Sequence, residues 1–123
     1  KSKSVNIPVH ITELDVSVLP NGWKHRTASV EERFQLSKKY NPYPTGAPEE
    51  VLDNQAKRYA DIFKIFVRYS EIIERVTFWG VWDGNSWRDY RPMLGRTDYP
   101  LLIGREFEKK PAYNSVVQTA KFQ

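Results

Sequence analysis

The chain has 123 residues, the length of one ordinary domain, of which 40% are hydrophobic, 28% charged and none cysteine, so disulfides and thiolate chemistry are excluded while the redox compartment stays open. Its 19 basic and 15 acidic residues leave a net charge of +4, but no basic run exceeds Lys38-Lys39 or Lys109-Lys110, which argues against nucleic acid as a partner. Aromatics reach 14%, with four Trp and seven Tyr, a surplus that suits a sugar or aromatic ligand. No apolar stretch approaches the ~20 residues that span a bilayer.

The start, Lys1-Ser2-Lys3-Ser4, carries no signal-peptide pattern and leads directly into a strand-like run, as expected of mature or cut material. Val5 to Val16 is rich in Val and Ile and predicts a strand closed by the turn Pro20-Asn21-Gly22. Glu13 and Asp15 are two residues apart, which on a regular strand aims both at one face. A buried parallel strand is a near-continuous aliphatic run, so carboxylates at its end are costly for the fold and are better explained by chemistry at the strand's mouth. His10 falls on the opposite face and is expected to be a packed histidine.

Residues 23–47 form a long connection, with a short helix expected over Val30 to Tyr40 before the turn-rich Asn41-Pro42-Tyr43-Pro44-Thr45-Gly46. From Pro48 the pattern is helical. Pro stands at the first helical position, Glu49 and Glu50 in the first turn, and Ala56, Tyr59, Ala60, Phe63, Phe66 and Val67 form an apolar stripe. Lys57, Arg58, Asp61, Lys64 and Arg68 line its solvated side.

A second buried strand is predicted over Ile72 to Asp83, ended by the breaker Asp83-Gly84-Asn85. Residues 86–110 are expected to be mostly irregular. Pro111 then opens a short helix with Tyr113, Val116, Val117 and Ala120 on one face.

Strand, helix, strand, helix is the order of a parallel α/β sheet. Two strands and two helices cannot cover both faces of such a sheet, so residues 1–123 read as one segment of a larger α/β structure whose other strands come from elsewhere. An open edge and an uncovered apolar face also demand a complement.

Four motifs in order, His10-Ile11-Thr12-Glu13-Leu14-Asp15-Val16, Val76-Thr77-Phe78-Trp79-Gly80-Val81, Ser86-Trp87-Arg88 and Lys109-Lys110-Pro111-Ala112-Tyr113, resemble the end of a glycoside hydrolase family 10 endo-1,4-β-xylanase. The resemblance covers essentially the whole chain, from the seventh strand of that family's TIM (β/α)8 barrel to the eighth helix. It implies an α/β fold that is the C-terminal portion of the barrel, two βα units, incomplete on its own. It also implies a retaining glycosidase in which Glu13 is the nucleophile, with no cofactor. A retaining mechanism needs one ionised carboxylate to attack the anomeric carbon and a second, about 5–5.5 Å away, to protonate the leaving oxygen.

The resemblance further implies that Asp15 is the acid that helps hold the nucleophile through a hydrogen-bonded histidine; its alternative is a loop-anchoring acid. Trp79 matches the tryptophan beneath the sugar at the point of cleavage, with Gly80 allowing close approach. Trp87 matches the loop tryptophan that closes over that sugar, and Arg88 is expected beside it, in contact with substrate or, more simply, anchoring the loop by pairing with a carboxylate. Trp23 and Trp82 have no family counterpart; packing is their first expectation and a peripheral sugar platform the second.

The chain departs from the family in one decisive respect: the acid/base Glu follows an Asn in these enzymes, and no Asn-Glu pair occurs here. The family's histidine on the sixth strand is absent too. The expected partners are therefore xylan or xylooligosaccharide and the N-terminal remainder of the barrel, as a separate chain or a cleaved part. His10 and His25 with no acid cluster at ligand spacing give no metal site. Secretion or display at the cell surface or in the periplasm follows from a substrate too large to import. A non-catalytic glycan-binding barrel, or a related β-1,4-glycanase such as a cellulase, are the alternatives.

Overall fold

A computed structural model describes residues 7–121 of the chain. Strands β1 (Val9–Leu14) and β2 (Ile73–Phe78) pair in parallel; helices α1 (Val30–Tyr40) and α2 (Glu49–Arg68) lie between them in sequence, and α3 (Pro111–Lys121) follows β2. Val5 and Asn6, expected in the first strand, fall outside the described residues, and β1 stops at Leu14 rather than Val16. The second strand is also shorter than expected. It ends at Phe78 because Gly80 takes φ 138°, a conformation that breaks the pleat and that a side chain rarely tolerates.

Helix α1 has the expected bounds. The Ser29 hydroxyl oxygen accepts the Glu32 N–H at 3.2 Å, Glu31 and Glu32 occupy the first turn, and Lys38 and Lys39 the last, all in accord with the helix dipole. Helix α2 begins at Glu49, with Pro48 just outside it in an extended conformation. Its stripe brings Ala56, Tyr59 and Phe63 against Ala112 and Val116 of α3, and Leu14, Val76 and Phe78 close over them from the sheet. Phe63 stacks on Phe78 with ring centroids 6.0 Å apart and planes 10° apart.

The buried face of α3 differs from the expected one. Ala112 and Val116 are buried, whereas Val117 and Ala120 are exposed, because the close approach of α2 is made at the small Ala112 and its i+4 neighbour. His10 is also not packed. It is exposed, with Nε2 3.4 Å from Glu74 Oε1, and Glu74 is an extra residue in β2 between the register pairs Val9–Ile73 and His10–Arg75.

The irregular segment after β2 is held by buried polar groups. Lys110 Nζ donates to the carbonyls of Tyr99 at 2.6 Å and Leu101 at 2.7 Å, and lies 2.9 Å from Asp83 Oδ2. Asp83 Oδ1 accepts the Leu101 N–H at 2.8 Å. Both side chains are almost wholly buried. Gln55 of α2 donates to the carbonyls of Val16 and Tyr99, and the Tyr59 hydroxyl donates to that of Pro100. Backbone that belongs to no helix or strand is thus satisfied by side chains.

Burial pushes the Asp83 carboxyl up from its ordinary 3.8 to about 6, against the attraction of Lys110, and burial likewise lowers Lys110. A raised carboxyl means that the fold binds this proton more tightly than the unfolded chain. Its contribution to stability is therefore complete below pH 3.8 and lost as pH rises through about 6. Lys110→Met removes the opposing cation, and is expected to cost about 3–5 kcal/mol at neutral pH, with less loss at pH 5 where Asp83 is uncharged. Adding Asp83→Asn recovers part of the loss and flattens the pH dependence; urea unfolding at both pH values measures each effect.

Candidate active site

The carboxyl ends of β1 and β2 lie side by side, with Leu14 paired to Phe78 and the Trp79 N–H donated to the Leu14 carbonyl at 2.9 Å. That pairing sets Glu13 and Trp79 on neighbouring strand tips. Between Ile11 and Leu14 the strand carries one residue more than its partner does between Val76 and Phe78, a bulge that falls on Thr12 and Glu13. Both side chains are exposed, and the alternation of burial slips there from Val9 and Ile11 to Leu14. Glu13 has no hydrogen-bond or ion-pair partner among the described residues.

Glu13 and Asp15 differ in environment. Asp15 lies just past the strand, its side chain only 4% exposed. Its Oδ2 accepts the Trp87 indole Nε1–H at 2.8 Å, and its Oδ1 accepts Arg88 Nε–H at 3.1 Å and Nη2–H at 2.9 Å. The Arg88 guanidinium also lies 4.7 Å from the centre of the Trp87 ring. Asp15 therefore anchors the loop, and Arg88 is occupied by Asp15 and Trp87. Each is committed to the other by charge-assisted hydrogen bonds, the stronger kind.

Trp87 sits on a single 3-10 turn, Trp87–Asp89, capped by Ser86, whose hydroxyl accepts the Arg88 N–H at 3.1 Å. Trp79 is 47% exposed at the tip of β2. What approaches Gly80 is a side chain, since a Cβ there would lie 2.9 Å from Leu101 Cδ1. Trp82 packs, stacked on Phe107 at 4.3 Å. Trp23 does not pack as expected: it is 52% exposed on the 3-10 turn Trp23–His25, outside any apolar cluster. His25 lies edge-on to Tyr40 at 4.8 Å.

Arg105 and Asp89, which no motif singles out, extend the anchoring. Arg105 Nη2 donates to both Asp89 oxygens, at 3.0 and 2.9 Å, and to the Asp98 carbonyl at 2.8 Å. Asp98 in turn accepts from the Ser17 hydroxyl and, at 3.1 Å, from the Val18 N–H, tying the chain beyond β1 to the segment beyond β2. The spacing of these residues carries no period, so only the three-dimensional arrangement reveals them. Among the described residues no three His, Asp or Glu side chains cluster at metal-holding distance, and no helix is long and apolar enough to cross a membrane.

The arrangement at the strand tips is an exposed carboxylate, unpaired among the described residues, beside one exposed tryptophan, with a second tryptophan held by a buried acid two residues further on. A family model described as glycosyl hydrolase family 10 matches residues 1–119. Similar proteins include an endo-1,4-β-xylanase A of Xylanibacter ruminicola, 36% identical over 94% of this chain and 31% of the relative. An endo-1,4-β-xylanase of Geobacillus stearothermophilus is 36% identical over 93% of this chain and 30% of the relative. A solved GH10 endoxylanase retrieved from a sugarcane soil metagenome superimposes with TM-score 0.78 at 38% identity, over 94% of this chain and 31% of that one. This chain spans about a third of the length of the relatives it matches. It belongs to glycosyl hydrolase family 10, as two βα units of that family's (β/α)8 barrel.

Proposed function

We propose that this chain is the C-terminal part of a retaining endo-1,4-β-xylanase and supplies its nucleophile, Glu13. The observation that carries the reading is Glu13 itself: an exposed carboxylate on a bulged strand tip, without a partner among the described residues and beside the exposed Trp79. A carboxylate committed to a structural ion pair would be a poor nucleophile, and Asp15 takes that duty instead. Trp79 offers an apolar face to the C–H face of a pyranose, and Trp87 offers a second ring whose orientation Asp15 and Arg88 fix.

In the proposed reaction the Glu13 carboxylate attacks the anomeric carbon as the glycosidic oxygen leaves with a proton from the second carboxyl. Water, deprotonated by that same group, then releases the sugar from Glu13 with net retention. The second carboxyl belongs to barrel strands outside this sequence, carried by the same polypeptide or by a separate one. The family matches favour xylan as the substrate over other β-1,4-glycans, and a polymeric substrate places the enzyme outside the cell or at its surface.

Glu13→Ala in the assembled enzyme is expected to leave less than about 1% of the turnover of xylooligosaccharides. Proton NMR of the first products should show the β anomer; an initial α anomer rules out double displacement. Asp15→Ala releases Trp87 and Arg88 together. It is expected to lower kcat/KM on xylotetraose by about tenfold to a hundredfold, the worth of hydrogen bonds to a charged group, and to raise the mobility of Trp87 in fluorescence anisotropy.

A further inference from the structure

A 3-10 turn of three residues, Trp87–Asp89, carries Trp87, and a piece that short takes its orientation from what grips its ends. Asp15 grips the near end. At the far end Asp89 is held by backbone and side chain alike. Its carbonyl accepts the N–H groups of Gly95 at 2.9 Å and Arg96 at 3.2 Å, its Oδ1 accepts the Asp98 N–H at 2.9 Å, and Arg105 Nη2 spans both carboxylate oxygens. Asp98 carries the hold onward, its Oδ1 accepting the Val18 N–H at 3.1 Å and its Oδ2 accepting from the Ser17 hydroxyl. The segment just past β1 therefore reaches the Trp87 turn twice, directly through Asp15 and by way of Asp98 and Asp89. These bonds close a ring of contacts around the turn.

The ring brings two carboxylates into one network, Asp98 wholly buried and Asp89 with its side chain only 20% exposed. Carboxylates withdrawn from water need charged or well-aimed donors. Arg105 is the cation paired with Asp89, and the same Nη2 donates to the Asp98 carbonyl at 2.8 Å. Its guanidinium also lies 5.1 Å from the centre of the Tyr99 ring, on the residue that follows Asp98. Arg105 Nε is buried and has no acceptor among the described residues, so the polar hold of this side chain runs through Nη2 onto the junction of Asp89 and Asp98. Neither Trp87 nor Glu13 is among its hydrogen-bond partners.

We propose that Arg105 is a positioning residue of the active site: by locking Asp89 to Asp98 it fixes the far end of the turn, and so the angle at which the Trp87 ring meets the sugar. The proposal rests on the xylanase reading and adds to it a residue that acts on the substrate through Trp87. Without Arg105 the Asp89 carboxylate loses its cation and turns to solvent, and the turn is held mainly from the Asp15 end.

Steady-state kinetics of the complete enzyme on xylotetraose test this, with Arg105→Gln and Trp87→Ala made singly and together. Arg105→Gln is expected to lower kcat/KM about tenfold, the worth of one hydrogen bond to a charged group. In the Trp87→Ala background the same change should cost less than about twofold, because the ring it positions is gone. A side chain that merely supports the fold would cost the same in both backgrounds. If Arg105→Gln does not fold, Asp89→Asn, which keeps an oxygen for the Asp98 N–H and removes the charge that Arg105 pairs with, reads the same coupling. Equal losses with and without Trp87, or no loss from Arg105→Gln, overturn the positioning role and leave the xylanase reading standing. An unsubstituted enzyme that does not cleave xylotetraose overturns the xylanase reading, and the positioning role with it.

Discussion

The carboxylate of Asp15 is where the two βα units become one site. Backbone pairing brings β1 and β2 together, and Asp15 reaches from the tip of the first unit into the loop of the second, taking the Trp87 indole on one oxygen and Arg88 on the other. An isolated carboxylate as buried as this one would carry a large desolvation cost. Three donors offset it, and in doing so they fix an aromatic ring that has no strand or helix of its own. The neighbouring Glu13 has no such partner among the described residues. Two acids two residues apart thus have different surroundings, Asp15 buried among donors and Glu13 exposed.

The fold was legible wherever a period governed it. The α1 bounds, the α2 stripe and the parallel strand order follow from capping residues, three- and four-residue spacing and β-branched runs. Legibility failed where a local irregularity broke the period. A bulge at Thr12–Glu13 slips the alternation of burial along β1, and an extra residue at Glu74 leaves His10 in solvent. On α3 the periodicity was right and the phase was not. Volume decided it, since Ala112 admits the partner helix and Val117 is not needed.

Most of the site's support was invisible in the sequence for a different reason. Asp83, Lys110, Asp89, Arg105 and Asp98 are charged residues in a segment without periodic structure, and composition alone assigns such residues to solvent. Their burial follows from the backbone around them. Residues 98–105 pass through the interior with few partners of their own kind, so their carbonyls and amides recruit Lys110, Gln55, Tyr59 and Asp83. The Lys109-Lys110-Pro111 motif therefore has a physical basis in these bonds. Lys110 joins the start of α3 to the backbone at Tyr99 and Leu101.

The parallel register between Val9 and Ile73 also sets the order in which the molecule is made. Helices α1 and α2 close through contacts three or four residues apart, whereas the strand pairing must first gather the 63 residues between Val9 and Ile73 into a closed loop. Loop closure is an entropic cost incurred before any sheet hydrogen bond forms. Trp87 and Arg88 reach Asp15 across a still greater span of chain. The Asp15 cluster at this strand tip therefore exists only in the nearly completed fold, and partly folded forms carry Glu13 before Trp87 and Arg88 are fixed on Asp15.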